Sequence, residues 1–161
     1  MATTSSALSP QKPRPFLAIW WGGLACGVLD ITQACVAWGI QNDVPPIRIF
    51  QSVAAGVLGR AAFQGGWPTA ALGLALHFFI AFSAATVYWL ASRKIKFLTE
   101  HAIIAGLFYG EAVFWFMRYV VIPLSATSAG PFSVATIVTG PIGHMFLVGL
   151  PISLAVRRYA K

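Results

Sequence analysis

The chain has 161 residues and is 58% hydrophobic, with eleven Lys and Arg, four Asp and Glu, and a formal net charge of +7. A globular domain needs about 25% charged residues to keep its surface wet. This chain has 9% and a mean hydropathy of +0.75, which excludes a soluble domain and points to an integral membrane protein. The charge does not signal nucleic acid either, since most basic residues sit at the ends of hydrophobic segments and form no single stripe.

Residues 1–15 are rich in Ser, Thr and Pro, carry Lys12 and Arg14, and show no apolar period, so they read as a disordered tail. Residues 16–40 are the first predicted span, with Trp20, Trp21 and Trp38 near its ends, where interfacial aromatics prefer to lie. The run is too long for a signal-peptide core, and no small-residue cleavage site follows it. Asp43 and Pro45-Pro46 then mark a loop.

Over 47–64 the apolar residues Phe50, Val53, Val57, Leu58 and Ala61 recur at helical spacing, while Arg48, Ser52, Gly59 and Arg60 lie largely off that stripe. An additional amphipathic helix, interfacial or re-entrant, is expected there. The second span is 69–92, ending before Arg93, Lys94 and Lys96; the third is 102–123; the fourth is 134–156, closed by Arg157-Arg158. The expected fold is all-α and polytopic: a single four-helix transmembrane domain over 16–161. Cys26 and Cys35 are nine residues apart in one helix and point to opposite sides, so no disulfide is expected.

Each span holds an ionisable residue away from its ends: Asp30, His77, Glu111 and His144. A charged group at the bilayer centre costs about 2.5 to 3.5 kcal/mol on insertion scales, so such residues normally face protein or water. At 1.5 Å per residue from the outer span ends, all four fall in one layer, roughly 10 to 18 Å deep. Small residues share their faces, and Gly23-x-x-x-Gly27 and Gly106-x-x-x-Gly110 have the spacing that lets helices approach closely. The expectation is a polar core, with Asp30 paired to His77 in one hairpin and Glu111 to His144 in the other. Gly73-x-x-x-His77 and Gly140-x-x-x-His144 make these hairpins a faint internal repeat. Arg118, seven residues from Glu111, and Arg60 are accessory candidates.

Three readings of this core stand. The favoured one is a small oligomeric transport or proton/ion-handling protein, since imidazole titrates near pH 6.5 and suits a relay. The second is a structural or assembly subunit, in which the same residues lock helix register and the segment from Arg48 to Arg60 docks a membrane-protein partner. The third is a metal or haem site, with His77, His144, Asp30 and Glu111 as candidate ligands. No Glu-x-x-His pair supports it, and no cofactor is predicted. Phosphate loop, nucleophile elbow, CxxC and HExxH motifs are absent, so catalysis is not expected. The expected partners are the bilayer and further copies of the chain.

Trp38-Gly39 leading to Pro45-Pro46-Ile47-Arg48, the Leu76-His77-Phe78 helix, Ala105-Gly106 through Pro123-Leu124, and Gly143-His144 ending in Arg157-Arg158 resemble the YagU-like family of bacterial inner-membrane proteins. The resemblance covers most of the chain after the tail. It implies a four-helix inner-membrane protein linked to envelope stress, and supplies neither substrate nor catalytic residues. The chain departs from the family pattern in its amphipathic stretch 47–64 and in the acids Asp30 and Glu111.

Lys12, Arg14, Arg93, Lys94, Lys96, Arg157, Arg158 and Lys161 fall on one side of the expected spans, and Arg48 and Arg60 on the other. By the positive-inside rule both termini are cytoplasmic. Alkaline phosphatase fused after Ser128 is expected to be active, and fusions after Lys96 or Lys161 inactive. The opposite activity pattern would invert the topology.

Overall fold

The computed structural model describes residues 14–127 and 134–159, with the side chains of 134–138 left aside. Almost all of the expected tail, residues 1–13, lies outside the described residues, as do 128–133 of the loop before the fourth span. The described residues form helices and no strand, and four helices are long and apolar enough to cross a membrane.

Helix α1 spans Pro15–Asn42. Proline opens it, where its missing N–H is one of the helix's unpaired donors anyway. Asp43 closes it in the left-handed conformation, its N–H bonded to Gly39 O at 3.1 Å and that of Val44 to Trp38 O at 3.3 Å. Helix α2, Pro46–Leu58, runs into a 3₁₀ segment, Gly59–Gln64. Helix α3 is Gly66–Ser92, so it begins three residues before the expected span; Pro68 falls in its first turn, where it breaks nothing. A short turn of helix, α4, covers Phe97–Glu100.

Helix α5 begins as Ala102–Phe116, widens to a π-helix over Met117–Val121 and ends as Ile122–Leu124. Helix α6 is Val134–Gly143, a π-helix His144–Gly149, then Leu150–Tyr159. Each π segment ends two residues before a proline, whereas Pro141 stands within regular α-helix. A proline ring clashes with the carbonyl four residues earlier and leaves it without its donor. For Pro123 that carbonyl belongs to Tyr119 and for Pro151 to Leu147, and each lies inside the widened segment that relieves the clash.

Helix α1 packs along both α3 and α6, α5 packs along α6, and α2 lies on α3. The buried core is built largely of small side chains, including Ala18, Cys26, Ala81, Ala85 and Ala105, with Tyr88, Val148, Ile152 and Val156. Large apolar side chains point outward instead: Phe79 is 69% exposed and Phe108 71%. That inversion suits a solvent of lipid tails, where packing of small residues, not removal of apolar area from water, holds helices together.

The contacts at glycine show how closely the backbones approach. A Cβ on Gly149 would collide with the Gly106 carbonyl and the Gly110 backbone, and one on Gly110 with the His144 carbonyl. The Gly106–Gly110 spacing therefore builds the α5–α6 crossing. Gly23 and Gly27 on α1 instead seat the rings of Phe82 and Phe78 from α3.

The α2 segment is fastened to the start of α3 by polar contacts. Gln51, only 3% exposed, donates from Nε2 to Gly66 O at 3.0 Å, while Arg48 Nη1 donates to Phe63 O at 2.8 Å. Thr69 Oγ1 donates to Ala62 O at 2.7 Å. At the other end of the bundle, Arg14 N–H donates to Tyr159 O at 2.7 Å and ties the first helix to the last. Both cysteines are free, Cys26 buried and Cys35 half-buried.

Candidate functional site

Asp30 lies twelve residues before the end of α1 and His77 eleven after the start of α3, about 18 and 16 Å along their helices. Glu111 and His144 stand at similar depth, about 20 Å from the end of α5 and 15 Å from the start of α6. The polar residues therefore share a level. Their pairing, however, differs from the one expected within each hairpin.

Asp30 faces His144 across the bundle. Its Oδ1 is 3.9 Å from His144 Nδ1, with the side chains 22% and 21% exposed. This is an ion-pair distance when the imidazole is charged, and longer than a hydrogen bond. His144 Nδ1 is also 3.0 Å from Gly140 O, and His77 Nε2 is 2.8 Å from Gly27 O. A carbonyl only accepts, so these contacts are hydrogen bonds when Nδ1 of His144 and Nε2 of His77 carry the proton. The remaining nitrogen of each neutral ring then carries the free lone pair. Both acceptors are glycine carbonyls, and without a Cβ beside them an aromatic ring reaches the second lone pair of a carbonyl already in its helix.

His77 and Asp30 do not bond each other but line one cavity of about 390 Å³ between α1, α2 and α3, together with Trp38 and Arg48. Asp30 thus has His144 on α6 as its imidazole partner while it also lines a cavity into which His77 opens. Phe78 and Phe114 pack edge-on against the two imidazoles, with ring centroids 5.6 and 5.2 Å away.

Glu111 is engaged elsewhere. It accepts from Trp115 Nε1 at 2.6 Å, one helical turn along α5, and Trp115 in turn stacks on Tyr119. Arg118 is half-buried in the π segment of α5, and Arg60 is exposed in the 3₁₀ segment. Among the described residues no three of His, Cys, Asp and Glu gather closely enough to hold one metal ion.

Three neighbours of the site did not emerge from the sequence as site residues. Gln33, three residues after Asp30 on the same face of α1, lies beside Gly143, where a Cβ would be 3.7 Å from its carboxamide. Its spacing was the available signal. Trp115, at i+4 from Glu111 and able to donate from its indole, carried a similar one. Arg48 was visible only as a cation off an apolar stripe.

No protein-family model matches this chain, and no curated protein or solved structure does. The pairing is therefore tested on the chain itself, by thermal unfolding in detergent. Asp30→Asn and His144→Gln are expected to be coupled, with a double-mutant loss smaller than the summed single losses by about 0.5 kcal/mol or more. Glu111→Gln and His144→Gln are expected to add within about 0.5 kcal/mol, because they share no bond. Additivity in the first cycle, or coupling only in the second, would mean that the cross-hairpin pair does not form.

Proposed function

We propose that this chain is a multi-pass protein of a bacterial inner membrane that handles protons, with Asp30 and His144 as the exchanging pair and His77 in the access cavity. One observation carries the reading. At mid-depth of the bundle, a carboxylate about one-fifth exposed faces an imidazole and also lines a cavity that holds a second imidazole. An ionisable group at such depth is costly to keep and marks ion or proton pathways when it faces protein and water.

The chemistry follows from the tautomer. With Nδ1–H directed at Gly140 O, His144 takes up a proton at Nε2 and becomes an imidazolium beside the Asp30 carboxylate. Breaking Nδ1–H and forming Oδ1–H moves one proton to Asp30, and both partners end neutral. Asp30 then releases it into the cavity lined by His77 and Arg48. The transfer itself leaves the net charge of the pair at zero, which limits the cost of charge separation at low dielectric.

The rest of the reading rests on the sequence. Both termini are cytoplasmic by the distribution of basic residues, α2 lies in or at the opposite interface by its amphipathic pattern, and the quoted motifs resemble those of the YagU-like proteins. Four helices enclose little room for a hydrated path, so the working form is a homo-oligomer.

A second reading, that of a structural subunit, draws on a specific observation: both imidazoles are bonded to backbone carbonyls, which fixes helix register without any transfer. Proteoliposomes loaded with a pH-sensitive dye and driven by a potassium diffusion potential separate the two. The wild-type chain is expected to carry protons inward, Asp30→Asn to lose about tenfold or more of that flux, and Glu111→Gln to keep it. Proton flux that survives Asp30→Asn contradicts the proposal, and a wild-type chain without flux gives the site to the structural reading.

A further inference from the structure

Helices α3 and α5 are pinned together at one end and stand apart at the other. The pin is Tyr109, whose hydroxyl donates to Ala84 O at 2.7 Å and whose ring meets that of Tyr88 with centroids 4.9 Å apart. Tyr88 is itself held by donating to Leu98 O at 2.8 Å. From this closed end a cavity of about 460 Å³ runs between the helices, with Val87, Ile80, Ala112 and Phe116 among its walls. Its lining is apolar but for groups already bonded, such as Ser83, whose hydroxyl donates to Phe79 O at 2.7 Å.

A second cavity, of about 690 Å³, shares Ile80, Phe116, Met117 and Val121 with the first and continues toward Ser52, Ser125 and Thr127. The two form one groove. Along α3 it extends from Val87 to Leu76, about 16 Å. One leaflet of a bilayer has a hydrocarbon depth of about 15 Å.

The open end is polar and carries a cation. The Ala126 N–H donates to Gly56 O at 2.8 Å, and Gly59, in a positive-φ conformation, lies against Ala126. The next residue after Gly59, Arg60, is exposed, and Ser52, Ser125 and Thr127 line the cavity at this end. None of the chain's four acids lines either cavity. The groove thus changes from apolar to polar to positive over the depth of one leaflet, and it is closed where an acyl chain would end.

We propose that this groove binds one anionic phospholipid from the leaflet on the α2 side, an acyl chain between α3 and α5 and the phosphate at Arg60. A second copy of the chain fits less well, since a helix about 10 Å across cannot enter a slot that closes at Tyr109. The site is separate from Asp30 and His144 and does not depend on proton transfer.

The test uses the full chain in phosphatidylcholine vesicles containing spin-labelled phosphatidylglycerol, with the label near the end of the acyl chain, and reads the motionally restricted fraction. Spin-labelled phosphatidylcholine provides the reference. The wild-type protein is expected to restrict phosphatidylglycerol about fivefold more effectively than phosphatidylcholine, the selectivity of one arginine near a headgroup. Ala112→Trp, which fills the groove, is expected to remove the selective component, whereas Leu154→Trp, at an exposed position outside it, is expected to retain it. Arg60→Gln, an exposed change that leaves the walls intact, is expected to equalise the two lipids. Selectivity that survives both Ala112→Trp and Arg60→Gln overturns the proposal, as does a wild-type chain with no selectivity. A groove found closed by a second copy, by disulfide cross-linking of Ala112→Cys in a chain whose native cysteines are alanine, overturns it too.

Discussion

Between helices in a bilayer, burying a large apolar side chain gains little, because the lipid tails it leaves are as apolar as the partner it meets. What holds such helices is the closeness of their backbones and the hydrogen bonds that hydrocarbon cannot supply. Here that constraint is concentrated at the α5–α6 crossing, where Gly149 lies on the Gly106 carbonyl and Gly110 on that of His144. No Cβ fits on either side. Because Gly110 touches the backbone of His144 itself, the crossing fixes where that residue stands on α6. The reach of its imidazole toward Asp30 is a consequence of the same packing.

The polar groups obey the same shortage of partners. Each histidine takes a glycine carbonyl, Glu111 takes the Trp115 indole, and Gln51 takes Gly66 O in the α2 segment. Asp30 differs: its contact is the longer one to His144, and it is also open to a cavity. This looser hold is what the proposed proton exchange at Asp30 draws on, whereas Glu111 is held by an indole. The distinction between the two acids comes from their neighbours, since their depths are nearly the same.

Much of the architecture was legible in the sequence because it is periodic along one axis. Run length located four membrane-length helices, Gly106-x-x-x-Gly110 marked a close crossing, and 1.5 Å per residue brought Asp30, His77, Glu111 and His144 to one level. Depth is only one coordinate, however. Which residue meets which depends on the order of helices around the bundle, and pairing within successive hairpins assumed that chain neighbours are the only spatial neighbours. The bundle also brings α1 against α6, so Asp30 meets an imidazole from the far end of the chain. The π segments were hidden for a similar reason: Pro123 and Pro151 were visible, but whether a helix breaks or widens at proline is decided by what packs around it.

The central claim is that Asp30 and His144, and not Asp30 and His77, are side-chain partners in the membrane. The most direct measurement is a dipolar-recoupling solid-state NMR experiment on the chain in lipid bilayers, between ¹³Cγ of Asp30 and the ring nitrogens of the two histidines. A resolved coupling to His144 Nδ1, the nitrogen that lies 3.9 Å from Asp30 Oδ1, is the predicted result. A coupling to His77 with none to His144 would contradict it, and would return the pairing to the first hairpin.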